Sequence, residues 1–282
     1  MLTTSTNITE RELTEISCWK ECYDYCPPAQ KKRLGATYKR IGPFYCFALP
    51  AYDILALNRA ICFTPEVFTE SLLEEVKIYY RSVGVKRFMI QLPSLFDKEL
   101  MEASLYNNGF SYHNQWIKLE RTLSIVSPPV KHALLIREAG EEDRDVVAAI
   151  IACSFGFAHD VGFLMSSPIG KKGWHFFMAY KEGAPISASG LHIHSGAASL
   201  TIAATPPYAQ GNKAQQAQIE YRLQTAVQHH CTVCTVETGE STIEKPNRSY
   251  QNMIKAGFRP VYEKRNYIAL SNQNSLQQET LF

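Results

Sequence analysis

The stretch YAQGNKAQQAQIEYRL (Tyr208–Leu223) follows a strand-like run, Ala198 to Thr205, and opens a helix whose Ile219, Leu223, Ala226, Val227 and His230 fall on one side. Its single glycine, Gly211, stands between the two elements. Backbone N–H groups converge at the amino end of a helix, and the helix dipole favours negative charge there. The stretch therefore reads either as a plain turn into a helix or as a cradle for a phosphate group, and its neighbours decide between them.

Downstream, Thr232 to Glu237 reads as a strand, Arg248 to Ala256 as a helix, and Phe258 to Leu270 as a closing hairpin. Upstream, Leu134 to Arg137 is a short strand. Glu141 to Cys153 carries Val146, Val147, Ile150 and Ile151 at helical spacing. Trp174 to Tyr180, Pro185 to His194 and Ala198 to Thr205 form a meander, with turns at Lys181-Glu182-Gly183 and Ser195-Gly196. This order predicts an α/β fold: a mixed, largely antiparallel sheet with helices on its faces.

The first half repeats the later part of that order. Thr64-Pro65 marks a helix start, with the helix running to Ser82 and turning Val67, Leu72, Val76 and Tyr79 inward. Val85 to Leu92 is a strand, Leu100 to Asn107 a helix, and Tyr112 to Arg121 another strand. LYNNGFSYHNQWIKLER matches MIKAGFRPVYEKRNYIAL in order: helix, stopping glycine, Phe, aromatic-bearing strand. From Gly84 to Gly109 is 25 residues, and from His230 to Gly257 is 27. Two copies of one fold are expected. Only the second carries a glycine loop, because Ala60-Ile61-Cys62-Phe63 passes directly into Thr64-Pro65.

Composition bounds the function. In 282 residues, 45% hydrophobic and 20% charged, the chain has material for two globular domains. Two prolines in Ser124 to Lys131 mark the boundary, giving domains over 1–125 and 133–270, with 271–282 as a loose Asn/Gln/Ser tail. A net charge of +2 and the lack of a basic, aromatic-interleaved stripe argue against nucleic acid as a partner. No apolar run reaches the roughly 20 residues that span a bilayer, and MLTTSTNITE is unlike a signal peptide, so no membrane association and a cytoplasmic location are expected. The eight cysteines then read as reduced thiols. Cys18, Cys22 and Cys26 recur every four residues, and Cys231 and Cys234 have zinc-like spacing without a second close pair. Buried apolar thiols are the expected reading, and no metal.

Four features in order resemble the GNAT acyltransferase family: LLIREAGEEDRDVVAAIIACSF, like its opening strand and helix; ASLTIAATPPYAQGNKAQQAQIEYRL, like its acyl-CoA motif; TVCTVETG, like the strand that splays to admit the pantetheine arm; and Asn247-Arg248-Ser249 with Lys255-Ala256-Gly257-Phe258, like its late helix and turn. They cover Leu134 to about Leu270, and the first half looks like a degenerate tandem copy. The resemblance implies an N-acetyltransferase that uses acetyl-CoA as cosubstrate on a small-molecule amine by direct attack. It implies that Gln210, Gly211, Asn212, Lys213, Ala214 and Gln215 cradle the diphosphate. It implies further that backbone groups of Ala203, Ala204 and Thr205 pair with pantetheine, and that Asn247 lies at the cofactor site. The family loop, (Gln/Arg)-x-x-Gly-x-(Gly/Ala), places Lys213 where Gly is usual and Gln215 where Gly or Ala is usual. Lys213 either obstructs the phosphate or grips it as a point charge.

Acyl transfer to an amine calls for a base and is helped by a proton donor at the leaving thiolate. The family's usual donor, a Tyr four residues before the Gly-Phe turn, is Met253 here. Tyr250, one helical turn earlier, is the candidate donor, with Ser249 a smaller alternative. Glu237, at the end of the splayed strand, is the candidate base, and His192 and His194, on one face of a strand, are rivals. Each also reads as an ordinary cap or surface group. Asn58-Arg59, beside an apolar strand read over Tyr52 to Leu57, is a candidate for meeting an anionic acceptor between the domains, or else a surface ion pair. A non-catalytic CoA-binding or scaffolding protein is the alternative function, and partner recognition through the aromatic CWKECYDYC segment a further one. Monomer and homodimer are equally open.

Overall fold

The computed structural model describes residues 5–96, 98–123 and 134–271. The expected linker from Ser124 and the tail from Asn272 lie outside the described residues. In chain order the elements are α1 (Ser5–Asp24), α2 (Pro28–Leu34), β1 (Thr37–Ile41), β2 (Phe44–Ala48), β3 (Arg59–Cys62), α3 (Glu70–Ser82), β4 (Arg87–Pro93), α4 (Lys98–Asn107) and β5 (Ser111–Thr122). They continue with β6 (Leu135–Glu138), α5 (Arg144–Phe155), α6 (His159–Ser166), β7 (Trp174–Lys181), β8 (Ala184–His194), β9 (Ala197–Ala204), α7 (Ala214–Gln228), β10 (Val233–Gly239), α8 (Arg248–Lys255) and β11 (Arg259–Leu270).

The described residues form two compact units, and these are not the contiguous halves expected from the linker. Unit 1 takes the described residues within 1–20, 31–116 and 262–282, and unit 2 those within 21–30 and 117–261. Each half hands the later part of its last strand to the other unit, residues 117–122 of β5 to unit 2 and residues 262–270 of β11 to unit 1. In unit 1 the strand order is β1-β2-β3-β4-β11, and β11 pairs antiparallel with β4 from Lys264↔Pro93 to Leu270↔Arg87. In unit 2 the order is β5-β10-β9-β8-β7-β6. A strand edge left bare exposes unpaired N–H and C=O groups, and the exchanged strands cover the open edges of β4 and β10. β11 runs unbroken from Arg259 to Leu270, with residues 264–270 along β4, so the closing hairpin expected over Phe258 to Leu270 is instead one long strand.

The repeat is visible in the elements. β3-α3-β4-α4-β5 mirrors β9-α7-β10-α8-β11, and in each copy the two strands joined by the long helix are parallel, Arg59↔Met89 onward and Val233↔Ala197 onward. The first-half helix starts later than Thr64-Pro65 suggests. Thr69, extended at φ −81°, accepts a hydrogen bond from Leu72 N and begins α3 at Glu70, which leaves Val67 exposed and buries Leu73, Val76, Lys77, Tyr79 and Tyr80.

In unit 2, α7 packs on β7, β8 and β9. Ile219, Leu223 and Ala226 of α7 join Phe177, Leu191, Ala198, Leu200, Cys234, Val236, Met253 and Phe258 in one apolar core. The alternation of strand side chains sends the intervening residues to the other face. The β7–β8 hairpin turns on Glu182 and Gly183, both at positive φ, as the right-handed strand twist requires of a two-residue loop.

Candidate functional site

After β9, a single 3₁₀ turn over Pro207–Ala209 leads to Gln210, Gly211, Asn212 and Lys213, and α7 begins at Ala214. Gly211 has φ +87°, and no heavy atom lies within 4 Å of where its side chain would stand. Lys213 is the N-cap at φ +59°, ψ 17°, so it keeps the left-handed backbone that a glycine adopts more cheaply. It makes no side-chain cap, and the first turn carries no acidic residue. Among the described residues no acceptor is found for the backbone N–H groups of Gly211 through Gln216. Asn212 is held in place, donating to Ala209 O at 2.9 Å and accepting from Lys181 Nζ at 2.9 Å. An open helix end with several free donors, space in front of its glycine and an exposed lysine fits a diphosphate.

The strand leading to this loop leaves its neighbour. β9 and β10 pair in parallel only from Ala197↔Val233 to Leu200↔Val236, although β9 continues to Ala204 and β10 to Gly239. On its other side β9 is bulged: Gly190 pairs with Thr201 but Ser189 pairs with Ala203, so Ile202 is the extra residue. Its φ of +45° is an unusual conformation for a β-branched residue. Sequence alternation gave no sign of this bulge. The free stretch Thr201 to Thr205 therefore lies where the resemblance places the pantetheine contacts, with Thr205 Oγ1 tied to Ser187 Oγ at 2.9 Å.

The groups proposed for chemistry separate into those with open and those with engaged polar atoms. Glu237, 13% exposed, lies with its carboxylate 3.5 Å from the ammonium of Lys118, 4% exposed. Lys118 is on β5, the strand handed over from the first half, and sequence reading missed it because nothing local links it to β10. Glu237, Thr235, Ser199 and His192 share the face opposite α7, with Ser199 Oγ and Thr235 Oγ1 3.1 Å apart and His192 paired to Ser199. His192 is buried beside Glu21, whose carboxylate also accepts from Trp174 Nε1 at 2.6 Å, and burial holds its pKa below the ordinary value. His194 is exposed. Tyr250 is half-buried and packs against the core that includes Met253.

Asn247 is spent on structure. It caps α8, its carbonyl oxygen accepting from Ser249 N and Tyr250 N, while its amide donates to Gly239 O at 2.9 Å. It thus ties the end of β10 to the start of α8. Gln215 bridges the two helices instead, donating to Ser249 Oγ at 3.0 Å and accepting from Asn252 at 2.7 Å. Cys231 and Cys234 are buried, which raises both thiols, Cys234 to about 12. A thiol held protonated is a poor metal ligand.

Among the described residues, unit 1 has no open helix start of this kind. Its α3 end is closed by Thr69 and begins with the acidic Glu70. Residues 52–57 form turns rather than a strand, and Asn58 and Arg59 are buried rather than on a surface, with Arg59 ion-paired to Glu15 at 3.3 Å. Asn58 accepts from Leu49 N and donates to Tyr52 O, and Arg59 lies between Trp19 and Trp116, bonding to Gln91 at 2.8 Å. Lys118 stands nine residues after Gly109, and Asn266 nine after Gly257; Gln91 stands seven after Gly84, and Glu237 seven after His230. At the matching places, the charged Lys118–Glu237 pair of unit 2 is a neutral amide pair in unit 1, Gln91 to Asn266 at 2.9 Å.

A parallel strand pair that splays beside a bulge, followed by a glycine loop and an uncapped helix, and repeated in degenerate form, decides the comparison. The fold is that of the GCN5-related N-acetyltransferases, in tandem. The chain is similar to a GCN5-related N-acetyltransferase from Kribbella flavida at 15% identity, over 88% of this chain and 95% of that one, with a TM-score of 0.61. It is similar to a GCN5-related N-acetyltransferase from Sphaerobacter thermophilus at 9% identity, over 82% and 78%, with a TM-score of 0.61. A tandem GNAT protein from the clavulanic acid biosynthesis pathway matches at 10% identity over 97% of this chain and 98% of its own, with a TM-score of 0.59. No protein-family model and no curated protein sequence matches the chain. Among the described residues, no helix of this GNAT-fold chain is long and apolar enough to cross a membrane.

Proposed function

We propose that unit 2 is an acetyl-CoA-dependent N-acetyltransferase acting on the amine of a small molecule, and that unit 1 has no cofactor site of its own. The observation that carries this reading is the open amino end of α7, where Gly211 to Gln216 offer unbonded N–H groups beside a strand that has left its neighbour. Acetyl-CoA supplies an activated thioester. The chain's part is to hold its diphosphate on residues 210–215, to pair its pantetheine amides with Ala203 to Thr205, and to receive the amine proton on Glu237. Lys118, 3.5 Å from that carboxylate, fixes its position. Tyr250 is the proposed proton donor to the departing thiolate.

The test is a thiol-release assay with acetyl-CoA and a panel of primary amines. Turnover on at least one amine is expected, with kcat falling about 10²-fold or more in Glu237→Gln while the affinity for acetyl-CoA is kept. An unaffected kcat would remove Glu237 from the chemistry. One observation favours a second reading, a non-catalytic CoA-binding protein: Met253, which cannot donate a proton, occupies the usual donor position and is buried in the core. Binding of acetyl-CoA without turnover across the panel would select that reading.

A further inference from the structure

Arg222 lies on the inner side of α7, two turns into the helix, and is fully buried. Desolvation lowers its pKa to about 10, and among the described residues no carboxylate is paired with it. All its hydrogen bonds go to carbonyl oxygens: Nε to Gln218 at 3.1 Å, and Nη1 to Gly190 at 3.0 Å and Thr201 at 3.3 Å. Among the described residues its Nη2 has no acceptor. A buried cation of this kind is costly, and an apolar side chain would fill the same place more cheaply. The two strand carbonyls explain what it does there. Gly190 and Thr201 are the last paired residues before the register shift, so Nη1 spans β8 and β9 at the bulge. One turn earlier on the same side, Gln218 donates to Phe177 O at 3.1 Å, and Ser187 Oγ, with a single proton to donate, lies 2.8 Å from both Gln218 Oε1 and Ala204 O. Thr201 Oγ1 occupies the space a side chain at Gly190 would need, 2.6 Å from that position.

We propose that Arg222 is a positioning residue that fixes where β9 leaves β10. It holds Ile202 in its left-handed conformation, and so sets the slot for the pantetheine arm relative to the diphosphate cradle at the start of the same helix. Strained backbone persists only where the surroundings over-determine it, and the guanidinium supplies that constraint from the helix that carries the cradle. The inference rests on the acetyl-CoA reading of unit 2.

Two ligands separate the slot from the cradle: acetyl-CoA, and 3′-phospho-ADP, its nucleotide part without the arm. In calorimetric titrations, Arg222→Met is expected to weaken acetyl-CoA by about tenfold or more and 3′-phospho-ADP by less than about threefold, with Arg222→Lys intermediate. Adding Ile202→Gly to Arg222→Met makes the bulge conformation cheap and is expected to restore acetyl-CoA to within about threefold of the unaltered protein. Should Arg222→Met not fold, Arg222→Lys, which keeps the charge, carries the same comparison, with and without Ile202→Gly. Parallel loss of both ligands without rescue would make Arg222 a merely structural residue and overturn the proposal, as would unchanged acetyl-CoA affinity in a folded variant. If the unaltered protein binds neither ligand, the acetyl-CoA reading itself fails and the proposal falls with it. Loss of the arm-specific affinity alone is the result that supports it.

Discussion

Two residues of unit 2 hold conformations or charges that their types resist, and each makes a prediction. Lys213 keeps the left-handed cap where glycine is usual, at φ +59°, with its ammonium exposed beside the free N–H groups. A point charge there favours an anion, so Lys213→Glu is expected to weaken acetyl-CoA by about tenfold, whereas Lys171→Glu, at a lysine already near Glu141, changes it by less than about twofold. Equal effects would place Lys213 outside the site. Lys213→Gly relieves the backbone and is expected to raise stability by about 1 kcal/mol in denaturant titration. His192 tests burial. Desolvation lowers its pKa, the neighbouring His194 lowers it further and Glu21 opposes both, so the folded protein favours the neutral ring. Stability from this group is therefore complete above its unfolded pKa of about 6.5 and is lost as pH falls below it. His192→Gln should show a smaller drop in Tm between pH 7.5 and 5.5 than the unaltered protein; an identical drop would assign the pH dependence elsewhere.

At the scale of elements, the Lys118–Glu237 contact joins a strand of the first half to the proposed base on β10. Breaking a largely buried pair leaves one charge uncompensated, so Lys118→Met is expected to cost about 3 kcal/mol in chemical unfolding, and Lys118→Met with Glu237→Leu to recover most of it. A double variant no more stable than the single one would show that the lysine acts through other contacts. The sequence made legible those elements whose pattern is local. The meander β7-β8-β9, α7 and its loop, β10 and α8 follow from periodicity, turn residues and the glycine at Gly211. β1 and β2 were missed because Thr37 to Ala48 is neither cleanly alternating nor bounded by the expected turn pattern, and α6 because Gly162 sits inside it, where its lack of a side chain admits Ala148 O of α5. The bulge at Ile202, the ion pair of Glu237 and the engagement of Asn247 depend on partners distant in sequence. No spacing rule reaches these.

The whole chain is a tandem repeat whose copies have exchanged the ends of their final strands and differ at two places. In unit 2 the helix end is open and a charged pair lies on β10; in unit 1 Thr69 and Glu70 close the corresponding end, and Gln91 with Asn266 replaces the charged pair. A capped helix start with an acid in its first turn repels the anion that an uncapped one attracts. Strand exchange also implies that the halves depend on one another, since unit 2 takes Lys118 from before the linker and unit 1 takes β11 from after it. Expressed alone, residues 133–270 are expected to lack cooperative thermal unfolding, and a sharp transition with bound acetyl-CoA would contradict this. The central claim, one cofactor site carried by unit 2, is tested most directly by calorimetric titration of the full chain with acetyl-CoA. The account predicts saturation at about one molecule per chain, abolished by Lys213→Glu with Gly211→Pro and untouched by Thr69→Ala. Saturation at two molecules, or no heat of binding at millimolar acetyl-CoA, would contradict it.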